Sequence, residues 1–201
     1  MINFDLQIRT GGLAAIREAS RFLMRDDPVH RTLAAIAKRF DELNIEYAVV
    51  GGMALVAHGY LRTTADVDLL VRPDGLEALH RALDGRGYLP PFEGSRNLRD
   101  TSTGVRIEFV VTGQYPGDGK PKPVAFPEPS AAFIERDGIR FITLEKLIEL
   151  KLASGISNPG RLRDLADVQE LIRELQLPAD FADRLDPFVR AEFARLRSGL
   201  A

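Results

Sequence analysis

Two carboxylates, Asp66 and Asp68, stand one residue apart at the start of DVDLLV, a run that is otherwise apolar. Alternate residues of a strand point the same way. Asp66 and Asp68 therefore share one face, while Val67, Leu69 and Val71 share the other. Glu108 repeats the arrangement in VRIEFVV, opposite Ile107, Phe109 and Val111. If the two strands are neighbours, three acids converge on one side of one sheet. Like charges that close raise one another's pKa unless a cation compensates them. A divalent metal is the natural partner, because three oxygen ligands with open positions suit an ion that also holds substrate phosphates. The chain has no cysteine, and its three histidines, His30, His58 and His80, are scattered. Oxygen ligands alone favour Mg2+ or Mn2+, or calcium, over zinc.

The second feature is Gly51-Gly52, which follows the strand EYAVV and opens the short helix MALVAHG. There a backbone can approach a phosphate and a helix N-terminus can face its charge. A tight turn needing positive φ would also select glycine.

These residues need a scaffold. Residues 13 to 43 read as two helices, LAAIREASRFLMR and PVHRTLAAIAKRFDELN, the second capped by Asp26-Asp27 ahead of Pro28. PDGLEALHRALDGRGY is a further helix, and residues 89 to 112 form a hairpin turning at Thr103-Gly104. GQYPGDGKPKPVAFPEPS is loop, a lid or a partner surface. AAFIERDGIRFI turns at Asp137-Gly138. Three helices finish the chain: TLEKLIELKLASG, RLRDLADVQELIRELQL and ADFADRLDPFVRAEFARLR. The expected class is α/β (α+β), a mixed β-sheet flanked by helices with a C-terminal helical part. The expected division is N-terminal helices over 1–44, a catalytic core over 45–142 and a helical region over 143–201. The N-terminal helices pack on the core.

A length of 201 residues and a net charge of −2 describe an ordinary globular chain without a global pull towards polyanions. Local basic residues (Arg96, Arg99, Arg106, Arg161, Arg163) leave room for a polyanion track. MINFDLQIRTGG lacks a basic start followed by an apolar core, and no apolar run reaches membrane-spanning length. A cytoplasmic location without membrane contact is expected.

Strand, Gly-Gly, helix, then Arg-x-Thr-x-Asp-x-Asp resembles the signature of the DNA polymerase β-like nucleotidyltransferase superfamily. The order of the motifs, with a third acid, a Lys helix and an Asp helix, is most similar to the AbiEii-type toxin and minimal nucleotidyltransferase group. The resemblance runs from about Leu33 to Leu175. It implies a nucleotidyltransferase fold and catalytic, metal-binding roles for Asp66, Asp68 and Glu108. Glu108 stands where the family often has Asp, as a metal ligand or a general base. It implies nucleotide-binding roles for Gly51, Gly52, Arg62, Thr64, Lys151 and Asp164. Gly52 stands where many members carry serine, which leaves backbone N–H groups for the phosphates. Asp164 and Asp167 share a helix face. Asp164 is the favoured functional residue of the two, and Arg163 accounts for Asp167 through an i, i+4 ion pair. His58 is read as a surface or packing histidine.

The implied reaction moves a nucleoside monophosphate from an NTP to a hydroxyl, with Mg2+ or Mn2+ as cofactor and pyrophosphate as product. The acceptor stays open between a tRNA 3′ end, a protein and a small molecule such as an aminoglycoside. The alternative is a non-catalytic nucleotidyltransferase-fold binding module, or a toxin–antitoxin module with an antitoxin partner. A haloacid-dehalogenase-like phosphatase is disfavoured, since its acids follow an apolar strand whereas Asp66 and Asp68 precede one.

Overall fold

The structure is a computed structural model that describes Arg21 and residues 27–200. The helix expected over 13–25 lies, apart from Arg21, outside the described residues. The first fully described helix, α1 (Pro28–Glu42), opens at Asp27, whose side chain accepts the N–H groups of Val29 and His30. Its apolar residues Val29, Leu33, Ile36 and Phe40 recur at helical spacing and are buried.

β1 (Tyr47–Val50) is wholly buried and runs straight into α2 (Gly51–Ala57). The two glycines make the turn from strand to helix and open α2, as expected. The chain returns as β2 (Asp66–Val71), antiparallel to β1. Next come α3 (Pro73–Leu83), the short β3 (Tyr88–Leu89) and β4 (Leu98–Asp100), and β5 (Arg106–Val111). β6 (Phe133–Arg136) and β7 (Ile139–Ile142) form a hairpin through Asp137 and Gly138, both with positive φ (52° and 73°). That is the geometry a two-residue hairpin loop needs to match strand twist.

Among the described residues the strands make one mixed sheet in the order β3-β4-β5-β2-β1-β7-β6. β2 is central and pairs in parallel with β5, setting Asp66 beside Arg106 and Asp68 beside Glu108. Val67, Leu69, Ile107 and Phe109 point to the other face and are fully buried or nearly so. The fold is thus the expected mixed sheet with flanking helices.

The C-terminal helices are α4 (Leu144–Ser157), α5 (Leu162–Glu174) and α6 (Pro187–Ser198), packed against one another. The expected single helix over ADFADRLDPFVRAEFARLR is instead a 3-10 turn, Ala179–Arg184, followed by α6. Pro187 forbids the α conformation at the residue before it, and Asp186 caps the new helix by accepting the Phe188 N–H at 2.9 Å. No described helix is long and apolar enough to cross a membrane.

The α1 cap supplies a pH-dependent contribution. Burial pushes the Asp27 carboxyl up, but the hydrogen bond and charge of His30 and the N–H groups of Val29 and His30 outweigh it and hold the pKa below its ordinary value. A depressed carboxyl contributes stability above its unfolded pKa, and loses it as pH falls through the folded value. We expect Asp27→Ala to cost about 1–2 kcal/mol in urea unfolding at neutral pH. The difference from wild type should shrink at about pH 3, where the carboxyl of the unfolded chain is protonated.

Candidate active site

The cleft at the acid end of β2 encloses about 700 Å³ and is bordered by α2, β5, α4 and the start of α5. All nine residues singled out from the sequence (Asp66, Asp68, Glu108, Gly51, Gly52, Arg62, Thr64, Lys151 and Asp164) line it. The parallel register puts the three acids on one face, two on β2 and one on β5.

The Gly51-Gly52 turn has a packing role that spacing alone could not reveal. Gly51 has φ +61°, and a Cβ there would lie 1.9 Å from Asp68 Oδ2. A Cβ on Gly52 would lie 2.6 Å from Thr64 Oγ1. The glycines admit the aspartate and threonine side chains directly under the backbone turn. Thr64 Oγ1 donates to Asp66 Oδ1 at 2.7 Å. Part of Asp68 reaches solvent, but its carboxyl is packed beneath the turn. Burial first, then the charges of Asp66 and Glu108, push the Asp68 carboxyl up to about 7, against the Lys151 charge and the Gly52 N–H.

Arg106 enters this cluster from β5. Its Nη2 lies 3.3 Å from Asp66 Oδ2, and its Nη1 lies 3.3 Å from Glu108 Oε1. From the sequence alone it was one of several basic residues for a polyanion. Its position beside Asp66 depends on how two distant strands align, which periodicity does not carry.

A second cluster comes from the C-terminal helices. Lys151 Nζ donates to Asp164 Oδ1 at 2.9 Å and to Asp167 Oδ2 at 2.8 Å. Ser154 Oγ donates to the other oxygen of Asp164 at 2.7 Å. Arg62 Nε lies 3.4 Å from Asp167 Oδ1. The assignment of Asp167 to an ion pair with Arg163 is corrected here. Asp167 is buried, 3 % exposed, and joins Lys151 to Arg62, while Arg163 is exposed. Helical spacing places both acids on one face, but only the packing of α5 on α4 decides which turns inward.

The loop 113–128 walls the cleft through Pro116, Gly117 and Phe126. It is seated on α4, since a Cβ on Gly117 would lie 2.7 Å from the Ser154 carbonyl oxygen. His58 is a packing residue: its Nε2–H donates to the Ile142 carbonyl at 2.7 Å, and burial lowers its pKa.

The donor set of Asp66, Asp68 and Glu108 is all oxygen and suits a hard divalent cation. Among the described residues no three carboxylate or imidazole groups converge tightly enough to enclose one. Both oxygens of Asp66 are engaged, one by Thr64 and one by Arg106.

Comparison with known proteins defines the class by family, as a nucleotidyltransferase, and finds solved structures of similar fold. The solution structure of the antibiotic-resistance factor ANT(2'')-Ia is similar to this chain at a TM-score of 0.51, with 15% identity over 84% of this chain and 89% of that one. The crystal structure of ANT(2'')-Ia in complex with adenylyl-2''-tobramycin covers 85% of this chain and 96% of its own at 15% identity, with a TM-score of 0.49. A putative nucleotidyltransferase from H. pylori gives 16% identity, 85% and 92% coverage and a TM-score of 0.47. At 15% identity the likeness to the solution structure is one of fold alone. None of the curated proteins matches the sequence. By sequence the chain belongs to a family described as "Uncharacterised nucleotidyltransferase", whose profile matches residues 13–196.

The turn generates a stability prediction. Gly51→Ala should destabilise the fold by about 1–3 kcal/mol or more, because it combines a left-handed backbone with a clash against Asp68. Gly119→Ala, at φ +73° with open space around its Cβ, should lose only the backbone part, about 1 kcal/mol. Equal losses in denaturant unfolding would refute the packing role of Gly51.

Proposed function

We propose that the protein transfers a nucleoside monophosphate from an NTP to a hydroxyl acceptor in a reaction dependent on Mg2+ or Mn2+. The observation that carries this reading is the alignment of Asp66, Asp68 and Glu108 on one face, beside the Gly51-Gly52 turn. The family assignment supports it.

Asp66 and Asp68 would hold the metal, with Glu108 as the third ligand or as the base for the acceptor hydroxyl. When bound, a divalent ion neutralises charge on the phosphates and aligns the attacking and leaving oxygens. The acceptor oxygen forms a bond to the α-phosphorus, the α–β bridging bond breaks, pyrophosphate leaves and the hydroxyl proton passes to a base. The Gly51-Gly52 backbone and Thr64 shape the floor of the phosphate seat. Lys151 and Arg62 border the cleft as cations for the triphosphate, with Asp164 and Asp167 fixing their positions. The motif order favours the AbiEii-type and minimal nucleotidyltransferase group.

Asp164 and Asp167 are already occupied by Lys151, and Arg96, Arg161 and Arg163 border the same cleft. This balance favours an acceptor without high positive charge, such as a nucleic-acid end or a neutral hydroxyl compound.

The test is calorimetric titration with each of the four NTPs, with and without Mg2+, on wild type and Asp66→Ala/Asp68→Ala. Wild type should bind at least one NTP in a Mg2+-dependent manner. The double variant, with its circular dichroism unchanged, should lose more than the roughly 10–100-fold that removal of an outer-shell partner produces. Undiminished binding in the variant would refute the site. Absence of binding by wild type would favour the non-catalytic module, with or without an antitoxin partner.

A further inference from the structure

Arg106 belongs to the acid face through register alone. It lies beside Asp66 across the β2–β5 ladder and two residues before Glu108 on its own strand, so all three side chains emerge on one side. The guanidinium bridges them, with one Nη 3.3 Å from Asp66 and the other 3.3 Å from Glu108. It is 36 % exposed, set into the cleft wall rather than free on the surface. Asp68, the third acid, lies deeper beneath the glycine turn.

The bridge supplies from within the chain the positive charge that three adjacent carboxylates require. It also engages oxygens of two of the three acids that a divalent ion would need. A free ion entering here must displace the guanidinium and then stand beside it, and two cations at contact distance repel. An ion carried on a triphosphate meets a different balance, because its phosphates offer the displaced guanidinium a new anionic partner.

We propose that Arg106 is an internal counter-ion competing with divalent metal for Asp66 and Glu108, so that the metal is admitted as its nucleoside triphosphate complex rather than alone. The proposal rests on the metal–nucleotide reading of the cleft. Arg106 is a positioning residue in this scheme: it holds the acids apart in charge until the nucleotide complex relieves it. Metal and nucleotide then bind with positive coupling, and the coupling is reciprocal.

The experiment measures Mn2+ binding to the full chain by electron paramagnetic resonance of the free ion. It compares wild type, Arg106→Gln and Arg106→Lys, first without nucleotide and then with a non-hydrolysable NTP analogue. Without nucleotide, Arg106→Gln should bind Mn2+ about tenfold or more tightly than wild type, the size of one lost charge repulsion at a partly screened site. Arg106→Lys keeps the charge but cannot span both acids, so it should fall between the two. The enhancement of Mn2+ affinity by the nucleotide analogue should shrink in Arg106→Gln. Unchanged or weaker Mn2+ binding by Arg106→Gln, with wild type still binding metal and analogue together through Asp68, would overturn the counter-ion role and leave the site intact. Failure of wild type to bind Mn2+ even with the analogue would overturn both. Should Arg106→Gln not fold, Arg106→Lys decides, and a wild-type Mn2+ affinity in that variant overturns the proposal.

Discussion

Three carboxylates on adjacent strands of one sheet face are the constraint around which this cleft is organised. Two unit charges 4 Å apart interact by about 4 kcal/mol at the effective dielectric of a protein surface. A domain of this kind is stable by only about 5–15 kcal/mol in total. Repulsion between carboxylates brought that close is of a size a fold must offset, and the charges of Asp66 and Glu108 do push the Asp68 carboxyl up. This fold offsets it with Thr64 and Arg106 on Asp66, Arg106 on Glu108, and the Gly52 N–H and Lys151 charge acting on Asp68. The Asp68 carboxyl is also buried, and burial adds to the repulsion that pushes it up.

The Lys151 cluster connects this face to the C-terminal helices. Buried ion pairs contribute little net stability, yet removing one partner costs about 3–5 kcal/mol because the other is left uncompensated. Their consequence here is placement. Asp167 on α5 contacts both Lys151 on α4 and Arg62 in the segment between α2 and β2. That segment leads directly into Thr64 and Asp66. α5 is thereby tied to the residues preceding the acids, and the helical region forms a wall of the site.

Much of this was legible in the sequence because strand and helix periodicities are local. The alternation in DVDLLV and VRIEFVV assigned the acids to one face of each strand, and the Asp137-Gly138 hairpin followed from turn chemistry. The order strand, Gly-Gly, helix, Arg-x-Thr-x-Asp-x-Asp identified the superfamily. Some boundaries were misplaced: the helix expected to run through Tyr88 ends at Leu83, and Pro187 broke the last expected helix, because steric restriction before proline outweighed the apolar spacing on either side.

What the sequence determined by itself was the chemistry on offer: oxygen donors without thiolates, a glycine pair, and a lysine and acids on helices. Tertiary structure decided which of these meet. Whether β2 lies beside β5, and in which register, depends on contacts between residues about forty positions apart, and that register alone set Arg106 against Asp66. The inward turn of Asp167 and the fit of Asp68 under Gly51 likewise depend on how separate elements pack. Local patterns choose the face of a strand or helix, and only the packed fold chooses what that face will touch.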